Sequence, residues 1–157
     1  MRFTGLNITY PCKQAVLALL DELSDEARGI GAVNTVVFKD GKRIGHNTDC
    51  LGFAEGFRRN LHDVARERVV QMGAGGAGAA VAHALLAEGV QHLSIFDVDM
   101  ARARDLVDNL AQRFGAGRAQ VGNHLENAMA EADGLVNTTP MGMACLLYTS
   151  DAADERS

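Results

Sequence analysis

The run Val69-Val70-Gln71-Met72-Gly73-Ala74-Gly75-Gly76-Ala77-Gly78, continuing through Ala79 to Gly89, leaves few folds open to this chain. It reads as a short apolar strand, a glycine turn and an alanine-rich helix. The glycines at 73, 75 and 78 satisfy G-x-G-x-x-G, a pattern that small residues also produce by chance in a Gly/Ala-rich sequence. Its context adds specificity. A second strand, His92–Phe96, ends at Asp97, about 20 residues past the last glycine, where a dinucleotide fold places its ribose-binding acid. The alternative is a tight βα turn of purely structural use in another α/β fold. A dinucleotide site is the stronger reading.

At 157 residues the chain has room for one ordinary domain or one and a half small ones. Its 47% hydrophobic and 22% charged content is that of a soluble globular protein. No apolar run approaches a membrane span, and MRFTGLNITYPCK lacks the layout of a secretory signal. A net charge of −5 with interspersed signs gives no footprint for nucleic acid and suits a cytoplasmic protein. The three cysteines, Cys12, Cys50 and Cys145, form no C-x-x-C pair, which argues against a disulfide framework or zinc knuckle and for a reducing compartment. The histidines show no i, i+4 pair, so no metal site is expected.

In chain order, residues 3–10 resemble a short strand halted by Pro11. Apolar residues at 16, 19, 20 and 23 predict a helical face over Lys13–Leu23, broken or capped at Ser24 and Asp25. Gly31–Phe38 is strand-like, Asp40-Gly41 signals a hairpin, and Arg43–His46 returns. A helix opens at Asn47-Thr48-Asp49, with Thr48 or Asp49 as N-cap and Leu51, Phe53, Phe57 and Leu61 on its buried side. A charged stretch follows, and a composition shift places a domain boundary near residue 65. The rest alternates: strand from 69, helix 77–89, strand 92–96, helix 100–114, weak strand 118–121, helix 124–131, strand 134–137. That succession implies a parallel sheet with right-handed crossovers. Ligands bind beyond the carboxyl ends of such strands, so Gly73, Asp97 and Asn137-Thr138-Thr139 fall at one site.

A pyrophosphate on the turn would face the free N–H groups and positive dipole end of helix 77–89. A carboxylate at 97 accepts hydrogen bonds from ribose hydroxyls, and repels a 2′-phosphate by roughly 3–4 kcal/mol at about 4–5 Å and an effective dielectric near 20. Arg102 and Arg104 are the nearest cations in sequence, while Val98 and Asp99 supply none. NAD is therefore favoured, with NADP as the alternative; Asp99 also reads as a helix cap. Lys13 and Asp49 each follow a strand-like segment and open a helix. A lysine there is electrostatically misplaced, and beside Asp49 it would suit acid–base chemistry on an alcohol. From the residues alone, a solvated surface lysine is the better reading.

Five motifs change that balance. Gly5-Leu-Asn-Ile-Thr-Tyr-Pro-Cys-Lys13, Gly31-Ala-Val-Asn-Thr35, Asn47-Thr-Asp49 with Gly52-Phe53, Gly73-Ala-Gly-Gly-Ala77 and Asn137-Thr-Thr-Pro-Met-Gly142 resemble, in order and spacing, the shikimate dehydrogenase family. The resemblance implies Lys13 as acid/base with Asp49 as partner, and Thr9 and Asn34 as substrate-hydroxyl ligands. It assigns Gly73, Ala74, Gly75, Gly76 and Ala77 to the pyrophosphate loop, and sets Thr138 and Met141 near the nicotinamide half. NADP-dependent members usually carry N-R-(T/S) where this chain has Asp97-Val98-Asp99. The acid, together with Cys12 and Gly45-His46, is similar to the NAD-using quinate/shikimate branch. The implied substrates are shikimate, quinate and their dehydro forms, with a homodimer allowed for the complete protein.

The expected layout is α/β: a partial substrate domain at 1–64, a truncated Rossmann-type domain at 65–144, and a non-native tail at 145–157. That tail, CLLYTSDAADERS, resembles assembly read-through more than family sequence. The family's opening strands with their Ser-x-Ser motif, and its closing helix, have no counterpart here, so the isolated chain is expected to be marginally stable and essentially inactive. The readings carried forward are an NAD-using shikimate/quinate dehydrogenase, an NADP-dependent shikimate dehydrogenase, and a non-catalytic dinucleotide-binding module.

Overall fold

A computed structural model describes residues 3–141. Two four-stranded sheets divide them. The first contains β1 (Gly5–Asn7), β2 (Glu22–Leu23), β3 (Thr35–Lys39) and β4 (Lys42–His46), in the order β1-β3-β4-β2. β3 pairs antiparallel with both β1 and β4, while β2 runs parallel to β4. The β3–β4 hairpin turns at Asp40 (φ 51°) and Gly41 (φ 77°), two successive positive φ angles that match the twist of the flanking strands.

The second sheet is parallel throughout, in the order β7-β6-β5-β8: Ala119–Val121, His92–Phe96, Arg68–Met72 and Gly134–Asn137. The crossover helices are α3 (Gly76–Ala87), α4 (Met100–Phe114) and α5 (Leu125–Ala130). This order puts the carboxyl ends of β6, β5 and β8 side by side, the arrangement that places ligands at one edge of an α/β sheet. α1 (Asp25–Ile30) connects β2 to β3 within the first sheet, and α2 (Asp49–Asn60) connects β4 to the second sheet.

The larger core lies between the parallel sheet and α3 and α4, with Leu85, Leu93, Ile95 and Leu110 fully buried. Ile30, Ala32 and Phe57 from the first 64 residues join the same core. A smaller cluster, Ala27, Val33 and Val36, packs with Ile8, Val16, Leu17, Leu20 and Leu23. His83 is buried, with Nε2 2.9 Å from Asn109 Oδ1 and its ring edge-on to Phe114. Burial holds its pKa below the usual histidine value.

Four local expectations are corrected. The strand over 3–10 is confined to Gly5–Asn7, where it has β3 to pair with. Lys13–Leu23 is not one helix: a 3-10 turn covers Ala15–Leu19, then the chain straightens into β2. Arg43 donates from Nε (2.9 Å), Nη2 (2.8 Å) and its backbone N–H (2.8 Å) to the Asp21 carboxylate, fixing that strand beside β4. The same bonds hold the Asp21 carboxyl well below the usual carboxylate range. Ser24 does not merely end a helix but begins one, its hydroxyl accepting from the Ala27 N–H at 3.2 Å to cap α1. On α2, Leu51 and Leu61 are exposed, and the buried stripe runs through Ala54 and Phe57. The expected tail at 145–157 lies outside the described residues.

Candidate active site

Lys13 follows β1 in a turn, its carbonyl accepting from the Val33 N–H at 2.8 Å. Its Nζ donates to Asp49 Oδ2 at 2.6 Å. Asn34 donates from Nδ2 to Asp49 Oδ1 (2.9 Å) and to Thr48 Oγ1 (2.8 Å), so the Asp49 carboxylate is held on both oxygens. The side chains of Lys13 and Asp49 are 18% and 34% exposed, shielded yet within reach of a small solute.

One of the two expected caps, Thr48, holds the N-cap position of α2. Thr48 makes no side-chain capping bond. Instead Asn47 Oδ1 accepts from the N–H groups of Asp49 (3.1 Å) and Cys50 (3.3 Å), while its Nδ2 donates to the Ala32 carbonyl at 2.9 Å. Asn47 is buried and therefore ties the helix start to the loop before β3. Thr9 lies exposed in the turn leading to Lys13, its carbonyl accepting from the Cys12 N–H at 2.9 Å.

The glycine turn is built from β5, β6 and β8. Gly73 takes φ +101°, and a Cβ there would come within 2.6 Å of Thr138 Oγ1, so both conformation and space demand glycine. Its N–H donates to the Phe96 carbonyl at 2.7 Å. The Ala74 N–H donates to Asp97 Oδ2 at 2.6 Å, and Asp97 Oδ1 accepts from the Asp99 N–H at 2.8 Å. Asp99 is the cap of α4, accepting from Ala101 and Arg102 at 3.1 and 3.2 Å. The hydroxyl of Thr138 shares its hydrogen between the carbonyls of Met72 (2.8 Å) and Gly73 (3.0 Å). It supports the turn from below. Met141 is exposed at the end of the described residues.

A helix leaves its first N–H groups without intrahelical acceptors, and α3 opens on Gly75 with no side-chain cap and no acid in its first turn. A Cβ on Gly75 would meet nothing within 4 Å, so the outer side of the turn is open. Such a cradle, with a carboxylate at the end of the next strand, fits the pyrophosphate and a ribose of a dinucleotide. On Gly76, by contrast, a Cβ would approach Lys13 Cβ to 2.7 Å. The glycine turn and the Lys13–Asp49 pair therefore abut. Among the described residues no His/Cys/Asp/Glu cluster suits a metal ion.

A polar residue not anticipated from the sequence underlies the turn. Gln71 is fully buried, and its Nε2 donates to the carbonyls of Gly73 (2.9 Å) and Gly78 (3.0 Å). The available signal was a lone amide inside the apolar run Val69–Met72.

Residues 55–147 match the family model for shikimate/quinate 5-dehydrogenase, and residues 1–36 match that for the shikimate dehydrogenase substrate-binding domain. The chain belongs to the shikimate/quinate 5-dehydrogenase family. Within that family it is 54% identical over 144 residues to a shikimate dehydrogenase (NADP(+)) of Streptomyces avermitilis, a match covering 90% of this chain and 50% of the relative. It is 52% identical over 144 residues to a quinate/shikimate dehydrogenase (NAD(+)) of Corynebacterium efficiens, covering 90% and 51%. The solved quinate dehydrogenase of Corynebacterium glutamicum in complex with NAD aligns with a TM-score of 0.79 and 48% identity, over 88% of this chain and 50% of that one. The chain thus spans about half the length of the relatives it matches.

Proposed function

We propose that this chain carries the site of an NAD-using shikimate/quinate dehydrogenase. The observation that supports it best is the contact between two devices: a dinucleotide cradle at Gly73–Ala77 and a lysine–carboxylate pair that abuts it through Gly76. Bound NAD supplies a hydride acceptor. The residues of the chain manage the proton that must leave the carbinol oxygen.

Lys13 serves as acid/base, releasing a proton to the alkoxide in reduction and accepting it in oxidation. Asp49 accepts from Lys13 Nζ and so orients the lysine towards the substrate hydroxyl. Asn34 holds Asp49, with both Nδ2 hydrogens already engaged in the chain. It reaches a substrate hydroxyl by giving up its bond to Thr48. Thr9 presents its hydroxyl, unbonded among the described residues, from the turn that carries Lys13. At the other half, Asp97 fits two ribose hydroxyls and disfavours a 2′-phosphate.

NADP is the second reading, favoured by the name of the Streptomyces relative. The nearest cation to Asp97 by sequence, Arg102, lies 3.4 Å from Asp99 Oδ2, which makes it a weak phosphate clamp. Free thiols at Cys12 and Cys50 suit a reducing, cytoplasmic setting.

Titration calorimetry of the chain with NAD and with NADP tests the cofactor reading; tighter binding of NADP would contradict it. Turnover is followed as quinate- or shikimate-dependent NADH formation, in a version carrying the flanking segments of the Corynebacterium relative. Absence of turnover there, with dinucleotide bound, would leave a binding module.

A further inference from the structure

Gln71 lies beneath the dinucleotide turn, on the central strand β5, with no exposure to solvent. One nitrogen reaches both ends of the glycine segment: Nε2 donates to the Gly73 carbonyl at 2.9 Å and to the Gly78 carbonyl at 3.0 Å. The opposite amide orientation would set Oε1 against two carbonyl oxygens, so the placement of N and O is fixed by chemistry. Oε1 in turn has no donor among the described residues.

That is a poor arrangement for stability alone. A buried acceptor without a donor is costly, and an apolar side chain of similar volume avoids the cost. Nor do the two carbonyls need the amide. Gly73 O also accepts from the Thr138 hydroxyl at 3.0 Å, and Gly78 O lies inside α3, where a helical N–H serves it. The two bonds do, however, set the span between the end of β5 and the first turn of α3. That span carries the N–H groups that would face a pyrophosphate.

We infer that Gln71 is a positioning residue for the dinucleotide, clamping the first and last glycines of the turn from below. The inference rests on the cofactor reading above. It concerns the shape of the cradle and leaves contact with the ligand to the backbone.

The test uses the chain itself with Gln71→Met and Gln71→Glu, measuring NAD affinity by calorimetry and thermal unfolding without ligand. Gln71→Met should unfold at the wild-type temperature or higher, yet bind NAD about 10-fold more weakly, the loss of roughly one hydrogen bond. Affinity within threefold of wild type would overturn the inference. If that variant loses stability, Gln71→Glu decides. Its protonated acid can still donate to one carbonyl, whereas its carboxylate faces both carbonyls and the phosphate. NAD affinity of Gln71→Glu relative to wild type should therefore fall as pH rises through the carboxyl titration; a constant ratio would sink the proposal. A wild-type chain that binds neither NAD nor NADP overturns the cofactor reading and this inference with it, whereas wild-type binding that Gln71→Met preserves overturns this inference alone.

Discussion

Lys13→Ala should have little effect on the cradle, because the Lys13 atom nearest the place a methyl on Gly76 would take is the Cβ that alanine keeps. Lys13→Ala is expected to cut turnover by about 10²- to 10⁴-fold, the usual range for lost acid–base catalysis, with NAD affinity within about twofold. Steady-state kinetics and calorimetry on the same preparation separate the two. Gly76→Ala should do the reverse of a local repair: the added methyl meets Lys13 Cβ at 2.7 Å, costing about 1–3 kcal/mol of stability and displacing the lysine. Asp97 is harder to redesign than its place in the sequence suggests. Each oxygen takes a backbone N–H, from Ala74 and from Asp99. In Asp97→Asn one of those donors must face the amide NH2, so NAD should bind about tenfold more weakly with no matching gain for NADP. Asp49 and Asp97 drew notice because they stand at the opening of a recognisable helix and the end of a recognisable strand, whereas Lys13 was raised above a surface lysine only by the motif resemblance. Asn47 and Gln71 were not legible, since their value lies in carbonyls of Ala32, Gly73 and Gly78 that only the folded backbone brings within reach.

Elements with strong periodicity were read well: strand 92–96, helix 100–114 and strand 134–137 match the structure. The stretch from Lys13 to Leu23 was misread for a physical reason. Its apolar spacing suits a helix, but the triple engagement of Asp21 by Arg43 draws the chain into a strand beside β4. Helix α1 carried its own signals, a Ser24 cap, Asp25 and Glu26 in its first turn and Gly31 at its end, yet six residues give too little periodicity to register. Junctions between elements carry their own expectation. His83, packed among α3 and α4 with Arg113 and Asn109 facing it, has a folded pKa below its unfolded value of 6.5. The unfolded chain therefore binds the extra proton. The stability His83 confers is present above pH 6.5 and is lost as pH falls from there through the lowered folded value. Chemical denaturation from pH 8 down to 5 should show this decline, and His83→Gln should flatten it.

At the scale of the molecule, the first 64 residues are joined to the parallel sheet by shared burial: Ile30, Ala32 and Phe57 lie in the core that Leu85 and Leu110 fill. Leu85→Ala should cost about 2–5 kcal/mol, and protection of the α2 amides should drop with that of α3, as hydrogen exchange would report. The strand order has a further effect in time. β8 pairs with β5 although the hydroxyl of Thr138 and the carbonyl it supports at Met72 are 66 positions apart in the chain. Closing so long a loop is slow compared with forming α3 or the β3–β4 hairpin. Pairing of β8 with β5, which brings Thr138 under the glycine turn, is therefore expected to form late in folding. During refolding, NADH fluorescence should rise only with the last kinetic phase, since the proposed cradle would be complete only once Thr138 is in place.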